Sequence, residues 1–207
     1  MKKNLFALIT LFAFGFSNAQ VSDDNEAGFS TGDIFVTGSV GFSNSKVENL
    51  STDSFTFSPK AGYFINDNIA LGITVGYSKA ENLFNNYDIT ETVTTMQTGA
   101  FGRYYFMPAN RFSVFTQLSL NYIVEDIDYS GLNILSTYTS RGFNVAFAPG
   151  INYFISNRFA LEANFGIIEY TSLKTENPGI MSDDISSNSF SLGLNMTNIN
   201  IGLLYKF

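Results

Sequence analysis

The sequence predicts an all-β fold, an eight-stranded antiparallel up-and-down transmembrane β-barrel. Three observations predict it. Apolar residues alternate with small or polar ones at period two along most of the chain. Four apolar runs end on a related signature: Gly62-Tyr63-Phe64-Ile65, Arg103-Tyr104-Tyr105-Phe106, Asn152-Tyr153-Phe154-Ile155 and the terminal Tyr205-Lys206-Phe207. The connections between runs alternate short and long, as in barrels with short periplasmic turns and longer outer loops.

The first element is a targeting segment. Lys2 and Lys3 form a charged n-region, 5–16 is an apolar core, and Ser17-Asn18-Ala19 offers small residues for cleavage before Gln20. That core is too short for a spanning helix, which needs about 20 residues. No cysteine follows, which excludes a lipoprotein anchor. The expected organisation is a signal peptide at 1–19, a short acidic segment at 20–31 and the barrel at 32–207. Cleavage takes away two lysines, so 11 minus 2 leaves nine cations against 18 carboxylates, a net charge of −9. Such a chain lacks the basic footprint of a nucleic-acid partner. The 188 residues left (207 minus 19) suit one domain.

The strands follow in order. Val36, Gly38, Val40 and Phe42 share one face of the first, and Thr37, Ser39, Gly41 and Ser43 share the other. In the second, Phe55, Phe57, Pro59, Ala61 and Tyr63 alternate with Ser54, Thr56, Ser58, Lys60 and Gly62. In the third, Ile69, Leu71, Ile73, Val75 and Tyr77 alternate with Ala70, Gly72, Thr74, Gly76 and Ser78. The fourth keeps Arg103 off the apolar face only if Tyr104, not Tyr105, points outward. The fifth, sixth and seventh cover 112–124, 143–155 and 159–167. The eighth changes parity: Phe190, Leu192 and Leu194 are even, whereas Ile199, Ile201, Leu203, Tyr205 and Phe207 are odd. A bulge near 196–198 would reconcile them.

The large apolar face and the small polar face assign the solvent. Small and polar side chains suit a narrow interior, and large apolar ones suit a wide exterior only if that exterior is lipid. A sheet in lipid must close, because no water satisfies an open edge. The links 66–68, 107–111 and 156–158 are short. Those at 44–53, 79–91, 126–140 and 172–188 are long and read as outer loops. An internal echo supports the hairpin count: Phe57-Ser58-Pro59 through Tyr63-Phe64-Ile65 returns as Phe147-Ala148-Pro149 through Tyr153-Phe154-Ile155. Proline removes a ladder donor, so Pro59 and Pro149 are expected at bulges or tapering points. Tyrosine spacings of 41, 49 and 52 are too uneven for a solenoid.

Taken together, these features resemble the small outer-membrane β-barrel family, which includes the OmpA transmembrane domain, OmpX, OmpW-like and porin-family barrels. The resemblance covers the whole mature chain. It implies a location in the outer membrane of a Gram-negative bacterium, in contact with outer-membrane lipid. It also implies that the terminal strand, with Ile201, Leu203, Tyr205 and Phe207, is read by the outer-membrane insertion machinery, Tyr205 and Phe207 being its signal. No peptidoglycan-binding domain follows the last strand, so an anchoring role is not expected.

Little chemistry is visible. The chain has no histidine and no cysteine, and barrel-borne hydrolases rely on histidine as base. No enzyme and no cofactor are expected. The charges assigned to the lumen are Lys60, Arg103 and Glu162, with Gln117, Asn121, Asn152 and Asn164 as polar lining. They either line a pathway or pair as a plug. The plug is favoured, because eight strands enclose an interior just wide enough for side chains. Glu125-Asp126-Ile127-Asp128 and Asp183-Asp184 suggest a solvated acidic rim, with calcium as the alternative, although no EF-type spacing is present. Leu83, Phe84, Tyr87, Leu132, Ile134, Leu135, Ile180, Met181 and Ile185 put apolar side chains among the outer loops. Either strands continue above the membrane there, or these residues contact a partner. The expected function is therefore non-enzymatic. A monomeric barrel would use its surface loops for binding, adhesion or envelope integrity, toward an extracellular partner not named by the sequence. Passage of small, even apolar, solutes is the alternative.

Overall fold

A computed structural model describes residues 27–84, 88–131, 134–165, 168–176, 185–192 and 199–207. The predicted signal peptide and most of the acidic segment lie outside these residues. Among the described residues there are ten strands: β1 (Ile34–Val47), β2 (Leu50–Phe64), β3 (Ile69–Phe84), β4 (Ile89–Tyr105), β5 (Phe112–Gly131), β6 (Ile134–Phe154), β7 (Phe159–Phe165), β8 (Ile168–Glu176), β9 (Ile185–Leu192) and β10 (Ile199–Lys206). β1 to β7 and β10 close an eight-membered antiparallel ring, with β5 on β6 and β10 on β1. β8 and β9 stand outside it as a hairpin paired to the upper part of β6.

The outward face carries the predicted residues. Leu71, Ile73, Leu118, Leu120 and Leu203 are all exposed, and the side chain of Phe165 is not described. Tyr63, Tyr104 and Tyr153 point outward at the periplasmic rim. Tyr205 joins them but is covered by Phe159 and Phe207, whose ring centroids each lie 4.9 Å away. Arg103 is buried and Tyr104 exposed, which settles the parity of the fourth strand.

The four copies of the signature do the same structural work. The residue after each tyrosine points inward: Phe64, Tyr105, Phe154 and Lys206. Each donates its backbone N–H to the residue at or just before the start of a neighbouring strand, at Asp33, Asn68, Arg111 and Arg158 (2.7–2.9 Å). The two echoed turns also close alike. Asn66 Oδ1 accepts from the N–H groups of Asn68 and Ile69, and Ser156 Oγ accepts from those of Arg158 and Phe159.

The structure departs from expectation in three places. The predicted long loops are hairpins: β1 and β2 pair up to Val47↔Leu50, β3 and β4 to Phe84↔Ile89, and β5 and β6 to Gly131↔Ile134. Runs such as Ser136 to Ser140, with two threonines and a tyrosine, favour strand even where most residues are polar. Pro149 does sit at a register change, since β6 pairs with β7 below it and resumes with β8 one residue out of step. Pro59 does not, because the β2–β3 ladder skips Ser58 and Pro59 and resumes unshifted. Finally, the seventh strand changes parity as well as the eighth. Odd residues of β7 face outward, whereas Ile168 and Tyr170 of β8 do so. The bulge expected near 196–198 lies outside the described residues, but the parity change between β9 and β10 stands.

The seam is short. Among the described residues, β1 meets β10 only from Phe35↔Lys206 to Gly38↔Leu203, while it pairs with β2 along its whole length.

Candidate functional site: a two-tier plug in the lumen

The lower tier is an aromatic floor. Inward residues at the strand bases, Phe35, Phe64, Tyr105, Phe115, Phe154 and Leu204, are fully buried together. Their centre is filled by Phe29, from the segment ahead of β1. Its ring lies 4.6 Å from Phe64, 4.9 Å from Phe154, 5.1 Å from Tyr105 and 5.6 Å from Phe35. Backbone bonds seat this segment, with Phe29 N–H donating to Pro108 O at 2.8 Å and Gly32 N–H to Phe64 O at 2.9 Å. Gly28 has φ +133°, and a Cβ there would lie 2.5 Å from the backbone of Ala109, so only glycine fits. Lys206 stands where the other three signatures carry an aromatic. Its ammonium donates to Gly28 O at 2.6 Å and lies 3.6 Å from Asp33. The odd member of the repeat thus holds the plug segment.

The upper tier is ionic. Arg103 and Glu162 form a fork-to-fork pair, Nη1 to Oε2 at 2.7 Å and Nη2 to Oε1 at 2.8 Å, both residues buried. Such bidentate pairs are the strong ones. Arg103 Nε donates to Gln117 Oε1 at 2.7 Å, and Gln117 Nε2 donates to Ser119 Oγ at 2.7 Å. Arg103 Nη1 also donates to Tyr105 Oη at 3.1 Å. Asn164 Nδ2 donates to Glu162 Oε1 at 3.2 Å. Asn152, oriented to satisfy both ends, accepts from Tyr105 Oη at 3.3 Å and donates to Glu162 Oε2 at 3.2 Å. The guanidinium also rests on Phe115, 4.3 Å from the ring centroid, which couples the two tiers.

The three predicted lumen charges therefore divide. Arg103 and Glu162 pair directly. Lys60 is half-buried on the cavity wall and close enough for its charge to act on both, but among the described residues no hydrogen bond or ion pair reaches it. The neutral lining divides too. Gln117, Asn152 and Asn164 belong to the network. Asn121 sits one level higher and donates to Asn144 Oδ1 at 3.1 Å. Above the pair lies a cavity of about 270 Å³, lined by polar side chains interspersed with Ala146, Ala148 and glycines, that reaches the seam at Gly38, Ser39 and Gly202.

Higher still, above the apolar belt, an inward polar cluster joins the hairpins. Glu91 accepts from Asn82 Nδ2 at 2.8 Å and from the hydroxyl of Tyr129, while Thr52 Oγ1 donates to Asn82 Oδ1 at 2.9 Å. The bond to Glu91 pushes the Tyr129 phenol up to about 12. Burial, and after it the charge of Glu91, pushes the Glu125 carboxyl above the usual carboxylate range. Asp126 and Asp128 face outward and accept from Thr139 and Thr137. Among the described residues no group of carboxylates is placed to hold a metal ion. Asp183 and Asp184 lie outside those residues.

Of the apolar residues assigned to loop contacts, Leu83 and Phe84 end β3, whereas Tyr87, Leu132, Ile180 and Met181 lie outside the described residues. Ile134, Leu135 and Ile185 are strand residues whose side chains are not described. Sequence reasoning missed Phe29, Tyr105 and Lys206.

Comparison with known proteins agrees with this architecture. The profile of a family described as "outer membrane protein beta-barrel domain" matches residues 6–207. Among solved structures, the chain is similar to the outer membrane protein OprG from Pseudomonas aeruginosa, at 14% identity and a TM-score of 0.52, covering 87% of this chain and 98% of that one. It is also similar to a major outer membrane protein from Thermus thermophilus, at 12% identity and a TM-score of 0.54, covering 84% and 98%. At such identities the likeness is one of fold. No curated protein sequence matches the chain significantly.

Proposed function

Because this chain belongs to the outer membrane protein β-barrel domain family, and so sits in the outer membrane of a Gram-negative bacterium, we propose that it is a non-enzymatic, non-conducting barrel whose role is carried by its outer hairpins. The observation that carries this reading is the two-tier plug. A dry aromatic floor and a bidentate ion pair lie in series across the barrel axis. Eight strands leave no second channel around them. The absence of histidine from the sequence supports a non-catalytic role. The hairpins then remain as the functional surface, for an extracellular partner, for adhesion or for envelope integrity.

Planar-bilayer recordings of the purified barrel should show no large stable pore. A large conductance whose ion selectivity follows Lys60 and Arg103 would overturn the reading. Deleting residues 83–87, 132–135 and 180–185 in turn should leave assembly intact and reduce adhesion or envelope resistance for at least one hairpin.

A second reading has one observation in its favour. Among the described residues the seam is paired over four positions, and the lumen cavity reaches it. That would suit sideways passage of a small solute between cavity and bilayer. Reduced uptake with intact adhesion in the deletion series would favour this passage.

We also propose that Phe207 presents the terminal strand to the insertion machinery. Its N–H donates to Ile34 O at 2.9 Å, so the ring closes on it. Deletion of Phe207 should lower outer-membrane levels and leave degraded or periplasmic material. Unchanged assembly in competition with wild type would remove the insertion role without touching the fold.

A further inference from the structure

The upper lumen carries charge of one sign. Lys60 stays beside the Arg103–Glu162 pair. Above them, the inward charged side chains of the described strands are all carboxylates: Glu169 on β8, Glu125 on β5 and Glu91 on β4. The strand pairings place them at three levels. Glu169 stands opposite Ala146, which stands opposite Ser119, and Glu91 stands opposite Tyr129. Along β5 the carboxylates are therefore level with Ser119, at Glu125 itself and level with Tyr129. Apolar rows separate them. Ile123 and Leu173 lie between the first two levels, and Ile127 and Val93 between the last two.

The hydrogen bonds of this column leave acceptors unmet. Asn121 Nδ2 donates to Asn144 Oδ1 at 3.1 Å, and Asn144 Nδ2 donates to Glu169 Oε1 at 2.6 Å and to Thr171 Oγ1 at 3.0 Å. These bonds fix both amides. Asn121 Oδ1 is then left without a partner among the described residues, in a side chain only 6% exposed. It occupies the lumen over Gly99, where a Cβ would lie 2.4 Å from it. Glu125 is half-buried and, among the described residues, has neither a hydrogen bond nor a cation. The one charge that acts on it is that of Glu91, of like sign. Acceptors withdrawn from water without a donor are costly. At the outer end, Tyr129 and Tyr138 meet edge to face at 6.2 Å.

We propose that this column binds a linear oligoamine that enters from the outer mouth. A single metal ion does not fit, because no group of carboxylates among the described residues is placed to hold one. From Asn121 to Tyr129 is about 27 Å of strand at about 3.4 Å per residue, which calls for an extended partner. A protonated oligoamine offers donors and no acceptors. Its lowest ammonium takes Asn121 Oδ1 and Glu169. Its methylenes lie on Ile123, Leu173 and Ile127, and its higher ammonium groups meet Glu125 and Glu91. The tyrosine pair receives the upper end by cation–π contact. Lys60 stops further descent by repulsion. The site lies inside the hairpins and requires no conduction, so it goes beyond the role proposed for their outer surface, and either can fail alone.

The test is calorimetric titration of the full barrel in zwitterionic detergent with spermine, at constant ionic strength. Spermine should bind saturably. Hexaamminecobalt(III), a compact trication, should bind roughly tenfold more weakly, since it buries no CH₂ groups. This arm needs no variant, so a folding defect cannot mask it. Glu125→Gln should lower spermine affinity roughly tenfold, the worth of one hydrogen bond to a charged group. It should keep its heat-modifiable mobility, because Glu125 supports no other side chain. Asp126→Asn removes the same charge from the outward face of the same strand and should leave the affinity unchanged. Equal affinity for spermine and the cobalt complex, equal weakening by the two substitutions, or unchanged affinity in Glu125→Gln would each overturn the proposal.

Discussion

Glu162→Ala should lower the stability of the folded barrel by about 3–5 kcal/mol, the usual cost of leaving one partner of a buried ion pair alone. Arg103 is buried among Phe35, Phe101 and Phe115, and without Glu162 its charge keeps only the neutral partners Gln117 and Tyr105. A guanidinium cannot shed its proton to escape this, whereas a carboxyl can take one up. Arg103→Ala should therefore cost less than Glu162→Ala at neutral pH, and its cost should shrink in acid. Arg103→Met/Glu162→Gln should recover part of the loss, since no buried charge remains uncompensated. Denaturant titrations of barrels in detergent, read by loss of heat-modifiable mobility, give the order directly. If both single variants stay within about 1 kcal/mol of wild type, as surface ion pairs do, the pair does not hold the lumen together.

Much of this barrel was legible because its environment writes a period into the sequence. Lipid outside and side chains inside select residues of opposite size at every second position, so Leu71, Ile73, Leu118 and Leu120 could be assigned to lipid from alternation alone. Above the bilayer, water bathes the outer surface and the period weakens. Polar runs such as Ser136 to Ser140 then read as loop, although they are strand. The register change at Pro149 was anticipated from a missing ladder donor. The same logic failed at Pro59, where the ladder tolerates a gap without inserting a residue.

The lumen was half legible. Period two points Arg103, Glu162 and Lys60 inward, but pairing depends on which strands meet across the barrel. Arg103 and Glu162 are 59 residues apart in sequence and on strands that are not neighbours. Periodicity carries no information about such contacts. Lys60 shows the limit, since it shares the lumen yet stays outside the fork. Lys206 could have been found. Aligning the four signatures places it where Phe64, Tyr105 and Phe154 stand, and a lysine in an aromatic position calls for a partner. Phe29 left no comparable trace, being a single aromatic in a segment with no strand period.

Phe29→Ala should be the second severe substitution, because the ring fills the centre of the floor and touches four aromatic neighbours. Truncating a buried phenylalanine costs about 3–5 kcal/mol when its site cannot collapse. Collapse is blocked here, because Phe35, Phe64, Tyr105 and Phe154 are fixed to separate strands of a closed ring. The segment has only a few other attachments, chiefly Phe29 N–H to Pro108 O, Gly32 N–H to Phe64 O, and Lys206 to Gly28 O. Part of the cost should therefore appear as local release, with the amides of Phe29 and Gly32 exchanging faster than the strands around them. Conductance should stay absent, since the Arg103–Glu162 pair still spans the lumen above. Phe29→Leu should retain most of the packing and most of the protection. Hydrogen exchange on wild type and both variants, beside the same denaturant titration, separates local from global loss. Unchanged amide protection at Phe29 and Gly32 in Phe29→Ala, with unchanged stability, would mean that this segment does not close the floor.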